Sequence, residues 1–353
     1  MRISKKLIIK ARLSKMCGFT KFCYFLNRNK KRIIGYHNVI PDEYFDESIH
    51  LECSHRESVF KNQLKVINNR FKVNLEIKEE GTATLTFDDG YLNQYSIASK
   101  IMDEMNNQGY FFCAVNLIDD KKILEIDKLM YWMSYVPLGE YNLDEINYKL
   151  EIKEQWQRKE QWSVLYNMIS KSFTFEDLSR ILDKAYAFEN IKINDEFYNI
   201  RFKGITRENL NEMKKKNHKI GAHSVTHSIF SRMKIEDLEE EIKCCSELLG
   251  DVYNTKLFAY PYGGKSDIPA EAERILSRSG FSSALAYGNS DVEGGYNEYY
   301  IPRIILPDTD DVDVIDFILS GAINMISYRK LLPDWINKEG VNYGKRNSYS
   351  AGI

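Results

Sequence analysis

Three short segments carry side chains that could do chemistry together: TFDDGY at 86–91, HSVTH at 223–227 and YPYGG at 260–264. Asp88 and Asp89 are neighbours, so their carboxylates diverge and can share one site only through a turn of the kind Gly90 permits. Neighbouring residues do not set the separation that a pair of glycosidase carboxylates requires, which disfavours that reaction. His223 and His227 are four residues apart, and on a helical turn that spacing would offer two imidazoles to one metal ion. Half of the six histidines fall between 218 and 227, which tilts these two toward ligation and away from an ordinary surface role. Two neutral imidazoles and one carboxylate form a three-ligand site with positions left for water, the arrangement catalytic zinc uses to activate a nucleophile. Asp89 or Asp88 would complete the set, and the other aspartate would be free to act as general base. The YPYGG turn can fix a backbone N–H toward a developing oxyanion. Each segment alone also reads as an ordinary turn or polar surface, and only their combination points to a site.

The elements that must hold these segments alternate in type. RIIGYHNVI, apolar and β-branched from residue 33 onward, predicts a buried strand ending near His37, and ATLTF at 83–87 predicts a second strand that stops at the aspartates. Residues 93–109 read as an amphipathic helix closed by Gly109, followed by a strand at 110–118. Farther on, Thr206 caps a helix with Glu208 in its first turn, and HKIGAHS, a helix at 234–249, KLFAYPYG, IPAEAERILSRSG and FSSALAYG continue the alternation. Such repeats favour a parallel α/β architecture, whose barrel form keeps its chemistry at the C-terminal strand ends. Between about 119 and 204 the rhythm pauses. No glycine occurs between Gly139 and Gly204, and charged and aromatic residues follow a helical spacing, which predicts an inserted helical subdomain. Its aromatics Tyr131, Trp132, Tyr135, Trp156, Trp162 and Tyr166 fit a core, or alternatively a sugar-binding cleft.

Composition narrows the function further. The 353 residues hold 49 Lys and Arg against 51 Asp and Glu, a net charge of −2 that argues against a nucleic-acid partner. The six cysteines show no C-x-x-C pairing and read as reduced, mostly buried thiols of a cytoplasmic protein. No apolar run is long enough to cross a bilayer as a helix. The first 32 residues contain eleven Lys or Arg and no acid, and the basic residues interrupt every apolar run, which does not suit a signal peptide. This basic arm is expected either to pack on the domain or to lie on an anionic membrane surface, placing the chain in the cytoplasm or at the inner membrane face.

In this order, with strands before them, the three motifs resemble the polysaccharide deacetylase family, known also as carbohydrate esterase family four, and most closely its FAYPYG-type poly-N-acetylglucosamine deacetylase-like subgroup. The resemblance covers residues 33–118 and 205–306. It implies a distorted (β/α) barrel of the NodB-homology type over 33–337, with the helical insertion at about 119–204, the basic arm 1–32 before it and a polar tail 338–353 after it. The implied reaction is metal-dependent removal of an acetyl group from a sugar. Asp88 would match the catalytic base, Asp89, His223 and His227 the ligands of a divalent ion, expected to be Zn2+, and Tyr262 the residue whose N–H binds the oxyanion. Two positions depart from the usual pattern. Where many members carry Arg two residues before the proline of the third motif, this chain has Ala259, and Arg303 of IPRI could supply the guanidinium instead. No Leu-rich strand ending in His follows Arg303, so His37 is the candidate general acid, as imidazolium, by a permuted order. The expected substrate is an N-acetylated saccharide or glycolipid precursor of a cell-surface polysaccharide. The competing expectations are another metal-dependent amidohydrolase or O-acetyl esterase on the same fold, and a non-catalytic glycan-binding homologue.

Overall fold

A computed structural model of the chain describes residues 4–45, 53–171, 173–192, 195–287 and 297–327. The expected polar tail at 338–353 lies outside them. The chain opens with two helices, α1 (Lys5–Met16) and α2 (Phe19–Leu26), and then enters strand β1 (Arg32–Tyr36). The side chain of Ser4 accepts from Leu7 N at 3.1 Å and starts α1. Beyond β1, the short strands β2 (Asn38–Ile40) and β3 (Ser54–Arg56) pair parallel with each other, and α3 (Glu57–Arg70) leads to β4 (Ala83–Phe87). A π-helical turn at Gln94–Ser99 runs into α4 (Lys100–Glu104), after which comes β5 (Gly109–Cys113).

Gly109 therefore opens a strand and does not cap the preceding helix. The helix ends at Glu104, and Asn106 makes the turn at φ 55°. A Cβ on Gly109 would lie 2.9 Å from the carbonyl oxygen of Leu85, so the missing side chain is what lets β5 approach β4.

The insertion comprises α5 (Glu125–Tyr135), strands β6 (Gly139–Leu143) and β7 (Tyr148–Ile152), α6 (Gln157–Lys171), α7 (Phe175–Ala185) and α8 (Asp195–Arg201). An all-helical reading of this stretch is thus incorrect at 139–152, where β6 and β7 form an antiparallel hairpin with Tyr141 opposite Leu150. Tyr141, Leu143, Leu150 and Ile152 are buried while Glu140, Asn142 and Lys149 are exposed, the period of two that a half-buried strand requires. Asn147, at φ 47°, supplies the left-handed turn residue without a glycine.

The alternation then resumes through α9 (Arg207–Lys215), β8 (Lys219–Ala222), α10 (Ile235–Leu249), β9 (Leu257–Ala259), α11 (Ala272–Arg278), β10 (Ser283–Tyr287), β11 (Ile301–Ile305), α12 (Val312–Leu319) and α13 (Ala322–Ser327). Thr206 caps α9 and shares a capping box with Asn209. Seven strands close into a parallel barrel in the order β1-β11-β10-β9-β8-β5-β4, with β1 paired to both β11 and β4. Ile33, Phe112, Leu257, Leu285 and Ile301 form one buried cluster, while alternating neighbours such as Ile34, Leu85 and Phe111 join a larger cluster with the surrounding helices. The insertion has its own core, built on Trp132, Trp162, Leu150 and Leu182.

Candidate active site

The site is assembled at the C-terminal ends of the barrel strands, where parallel barrels present loops free to vary. β4 delivers Asp88 and Asp89, β8 delivers His223, β9 leads to Tyr262, β1 to His37, and Arg303 projects from within β11. All six sequence-derived positions other than Arg303 thus follow a strand, and all seven side chains but Arg303 border one cavity of about 400 Å³.

The aspartates do diverge. Asp89 sits at φ 78° and Gly90 at φ 91°, and a Cβ on Gly90 would stand 3.1 Å from the Cys113 side chain, so the turn folds tightly against β5. Gln94 fastens the ends of β1 and β4, donating to the carbonyl oxygens of His37 (2.9 Å) and Asp88.

Asp88 is fully buried and accepts two hydrogen bonds from Arg303, at 2.7 and 2.5 Å, in a bidentate pair. Burial opposes ionisation of Asp88, yet Arg303 and the nearby imidazoles hold its pKa below the ordinary carboxylate value. The guanidinium therefore reaches the aspartate from β11, across the barrel interior, in a chain where the third motif carries Ala259. Gly35 on β1 lets Ile305 of β11 pack close: a Cβ there would lie 2.9 Å from Ile305 Cδ1, but only in ordinary contact, 3.8 Å, with Arg303 Cδ.

Asp89, His223 and His227 point one ligand atom each to a common centre, all within 4.8 Å of one another. Asp89 Oδ1 lies 3.3 Å from His223 Nε2 and 3.1 Å from His227 Nε2, and this buried oxygen has no hydrogen-bond partner among the described residues. His223 Nδ1 is 2.8 Å from the carbonyl oxygen of Ala259, which places the proton there and leaves the Nε2 lone pair facing Asp89. An orphaned carboxylate oxygen and an imidazole lone pair converging in a buried corner suit a divalent cation with N and O ligands.

The histidines are not on a helical turn. His223 follows β8 directly, and Ser224 (φ 66°) and His227 (φ 62°) bend the loop back so that both rings meet, with centroids 5.0 Å apart. The buried anchor of this loop is Glu241 of α10, whose Oε1 accepts from Val225 N (2.9 Å), Thr226 N (2.6 Å) and Thr226 Oγ1 (2.8 Å). Nothing in the spacing of the sequence marked Glu241.

Tyr262 adopts φ 58°, and its N–H donates to no group among the described residues. Its ring stacks on Phe175 of the insertion at 5.0 Å and 9°, and lies 4.8 Å from the His227 ring. The insertion thus braces the third motif. It also contributes Ile126, Met130 and Tyr166 to the cavity wall, whereas Trp132 and Trp162 belong to its core and Trp156 is exposed.

His37 Nε2 is 2.6 Å from the hydroxyl of Tyr287, the last residue of β10. Burial pushes the His37 pKa down from the ordinary imidazole value, against the opposing pull of Asp89 and Asp88. Burial thus favours the neutral imidazole in the free site, so the imidazolium expected of a general acid has to form in the course of the reaction. Tyr287 was legible in principle, because FSSALAYG reads as a strand and its C-terminal end falls where the other site residues fall. A second buried group, Tyr91, Asp127 and Arg201, joins the first motif to the insertion: the Tyr91 hydroxyl donates to Asp127 at 2.8 and 3.0 Å, and Arg201 Nη1 lies 3.6 Å from Asp127 Oδ1.

The fold and the site together define a parallel (β/α)-barrel protein with a buried carboxylate–imidazole cluster at its mouth that could hold a cation. Residues 172–282, just under a third of the chain, match the polysaccharide deacetylase family. The matched segment contains His223, His227 and Tyr262, and stops short of the aspartates on β4. Among solved structures, the chain is similar to a polysaccharide deacetylase from Bacillus cereus, with 12% identity over 82% of this chain and 68% of that one and a TM-score of 0.51. It is similar also to the Streptococcus pyogenes deacetylase PplD, determined with acetate, with 13% identity over 82% and 97% of the two chains and a TM-score of 0.50. At these identities the likeness is one of fold. No curated protein matches the sequence.

Proposed function

We propose that the protein is a metal-dependent deacetylase that removes an N-acetyl group from a sugar of a cell-surface polysaccharide or glycolipid precursor. The observation that carries this reading is the division of labour between adjacent aspartates: Asp89 joins the two imidazoles, and Asp88 is held apart as an ionised carboxylate by Arg303. A binding module has no use for both.

Asp89, His223 and His227 would hold the divalent ion, with zinc the expected one. When bound, such an ion polarises an acyl carbonyl and lowers the pKa of water. Asp88 accepts the proton of the attacking water, whose oxygen adds to the acyl carbon. The Tyr262 N–H donates to the oxyanion that develops as the carbonyl opens. The C–N bond then breaks, and the amine must gain a proton to leave. His37, neutral at rest, passes on a proton it first receives, and Asp88 holds the one just taken from water; Tyr287 fixes the ring for this transfer.

Acetate release from N-acetylated saccharides and from nucleotide-linked and lipid-linked sugars tests the reading, with metal-free and zinc-loaded protein compared and Asp88→Asn beside the wild type. Metal-dependent release lost in Asp88→Asn is the expected result. Tight metal binding through His223 and His227 without release from any substrate would overturn it.

A further inference from the structure

The outer face of the first two helices has no role in the barrel. Leu7, Ala11 and Ser14 of α1 are buried against the domain, and α1 is tied to the start of α12 by ion pairs of Lys15 with Asp313 and of Arg12 with Asp311 (3.6 Å). On the opposite side of the same helix, Ile9, Leu13 and Met16 form a second stripe, with exposures of 56%, 52% and 79%. Their spacing of four and three residues places them on one line, with Lys5 and Arg12 along one edge and Lys6 and Lys10 along the other. In α2, Phe22, Phe25 and Leu26 also face outward. Of thirteen exposed large apolar side chains among the described residues, six lie in these two short helices. Arg28 lies over the Phe25 ring at 4.6 Å, adding a cation to this face.

An apolar stripe bordered by cations, in a segment of eleven basic and no acidic residues, has the chemistry of a helix lying in a headgroup layer. A protein partner would have to offer an acidic rim around an apolar groove, and a second copy of this face would set basic edges against basic edges. An anionic bilayer meets both requirements without any further geometry.

We propose that the outward face of α1 and α2 docks the protein on an anionic lipid bilayer, with Ile9, Leu13, Met16 and Phe25 inserted below the headgroups and the flanking lysines among the phosphates. The docking helix also belongs to the site: Leu7, on its inner face, lines the same cavity as Asp88, Asp89 and His223. Docking therefore sets that cavity beside the membrane, where a lipid-anchored sugar would be met.

Co-sedimentation of the full chain with vesicles tests this. Vesicles of phosphatidylcholine mixed with phosphatidylglycerol should carry the protein down, phosphatidylcholine alone should not, and added salt should release it. Changing Lys5, Lys6 and Lys10 together to Gln should weaken partitioning roughly a hundredfold, at about one Boltzmann-weighted contact per lysine. Leu13→Glu with Phe25→Glu should weaken it by a hundredfold or more, while acetate release from a soluble substrate and the circular dichroism melt stay unchanged, because both residues are exposed. Equal binding to both vesicle types, binding to neither, or indifference to the Leu13→Glu/Phe25→Glu change overturns the proposal. So does a dimer in sedimentation velocity that these two changes dissociate in the absence of vesicle binding, since the face would then belong to a second copy.

Discussion

Replacing Arg303 by Met probes the link between the barrel interior and the base. The two hydrogen bonds to Asp88 and the full burial of both side chains mean that the substitution strands a carboxylate without its counter-charge. Breaking one partner out of a buried pair costs roughly 3–5 kcal/mol. Part of that cost is avoided if Asp88 takes up a proton, because burial, no longer opposed by the guanidinium, raises its pKa. A protonated Asp88 cannot act as base, so acetate release near pH 7 should fall by about 10²–10⁴-fold, the usual worth of a positioned base. The activity should return in part as the pH is raised through the new Asp88 pKa, a displacement that mere loosening of the barrel would not produce. Zinc affinity measured by calorimetry should stay close to that of the wild type, since the three ligands are untouched. The double change Asp88→Asn/Arg303→Met should regain most of the stability, because the pair is removed whole, without regaining activity. If Arg303→Met keeps more than a tenth of the wild-type rate at pH 7, or loses metal and activity together, then Arg303 does not act through Asp88 and the reasoning fails.

Other expectations follow from the same geometry. Glu241→Gln frees the loop carrying His227, and zinc affinity by calorimetry should drop by about 10–100-fold with little change in the melt. Phe175→Ala removes the stack on Tyr262 and should destabilise the fold by roughly 3–5 kcal/mol in denaturant titration, with kcat falling more than KM rises. Burial raises the Asp127 pKa from 3.8 to about 7, so the folded state favours its neutral form: the stability this gives is complete below the unfolded value near 3.8 and is lost as the pH rises through about 7. Between pH 5 and 8 the loss should be about 2–3 kcal/mol by linkage, and Asp127→Asn should flatten that dependence in paired denaturant melts. Asn147→Val forces a β-branched residue into the left-handed region and should cost about 1–2 kcal/mol, while Asn147→Gly should be nearly neutral in the same assay.

The parts of this molecule legible in its sequence are those where local chemistry and backbone period agree. ATLTF stops at Asp88 because a β-branched run meets an Asp-Asp-Gly turn, and both signals lie within eight residues. The barrel places each such stop at one mouth, so a strand end was enough to bring Asp88, His223 and Tyr262 together without knowing the sheet order. The hairpin at 139–152 was hidden because each of its strands offers only five residues of alternation, inside a stretch whose charges also fit a helix. Gly109 was misplaced for a related reason: a glycine after a helical pattern serves equally as a cap or as the site where two strands approach, and only the Leu85 carbonyl decides between them.

What sequence could not supply was the support behind the ligands. Glu241 lies on the helix after the loop it anchors, Phe175 belongs to the insertion, and Arg201 meets Asp127 across 73 intervening positions. None of these contacts has a characteristic spacing, because each depends on how whole elements pack, whereas a ligand pair from one loop must carry its spacing with it. Arg303 falls between these cases. The vacancy that Ala259 leaves in the third motif, next to a carboxylate that must stay ionised in a closed barrel, implies that some other strand supplies a cation, and β11 is placed to do so because β1 alone separates it from β4. Gly35, on that intervening β1, is where a Cβ would press on Ile305, two residues beyond Arg303 along β11. Adding a methyl there, as Gly35→Ala, should therefore shift the Ile305 side chain and cost about 1–3 kcal/mol in a denaturant melt, while acetate release and zinc affinity stay near the wild type because the Asp88–Arg303 pair is not crowded.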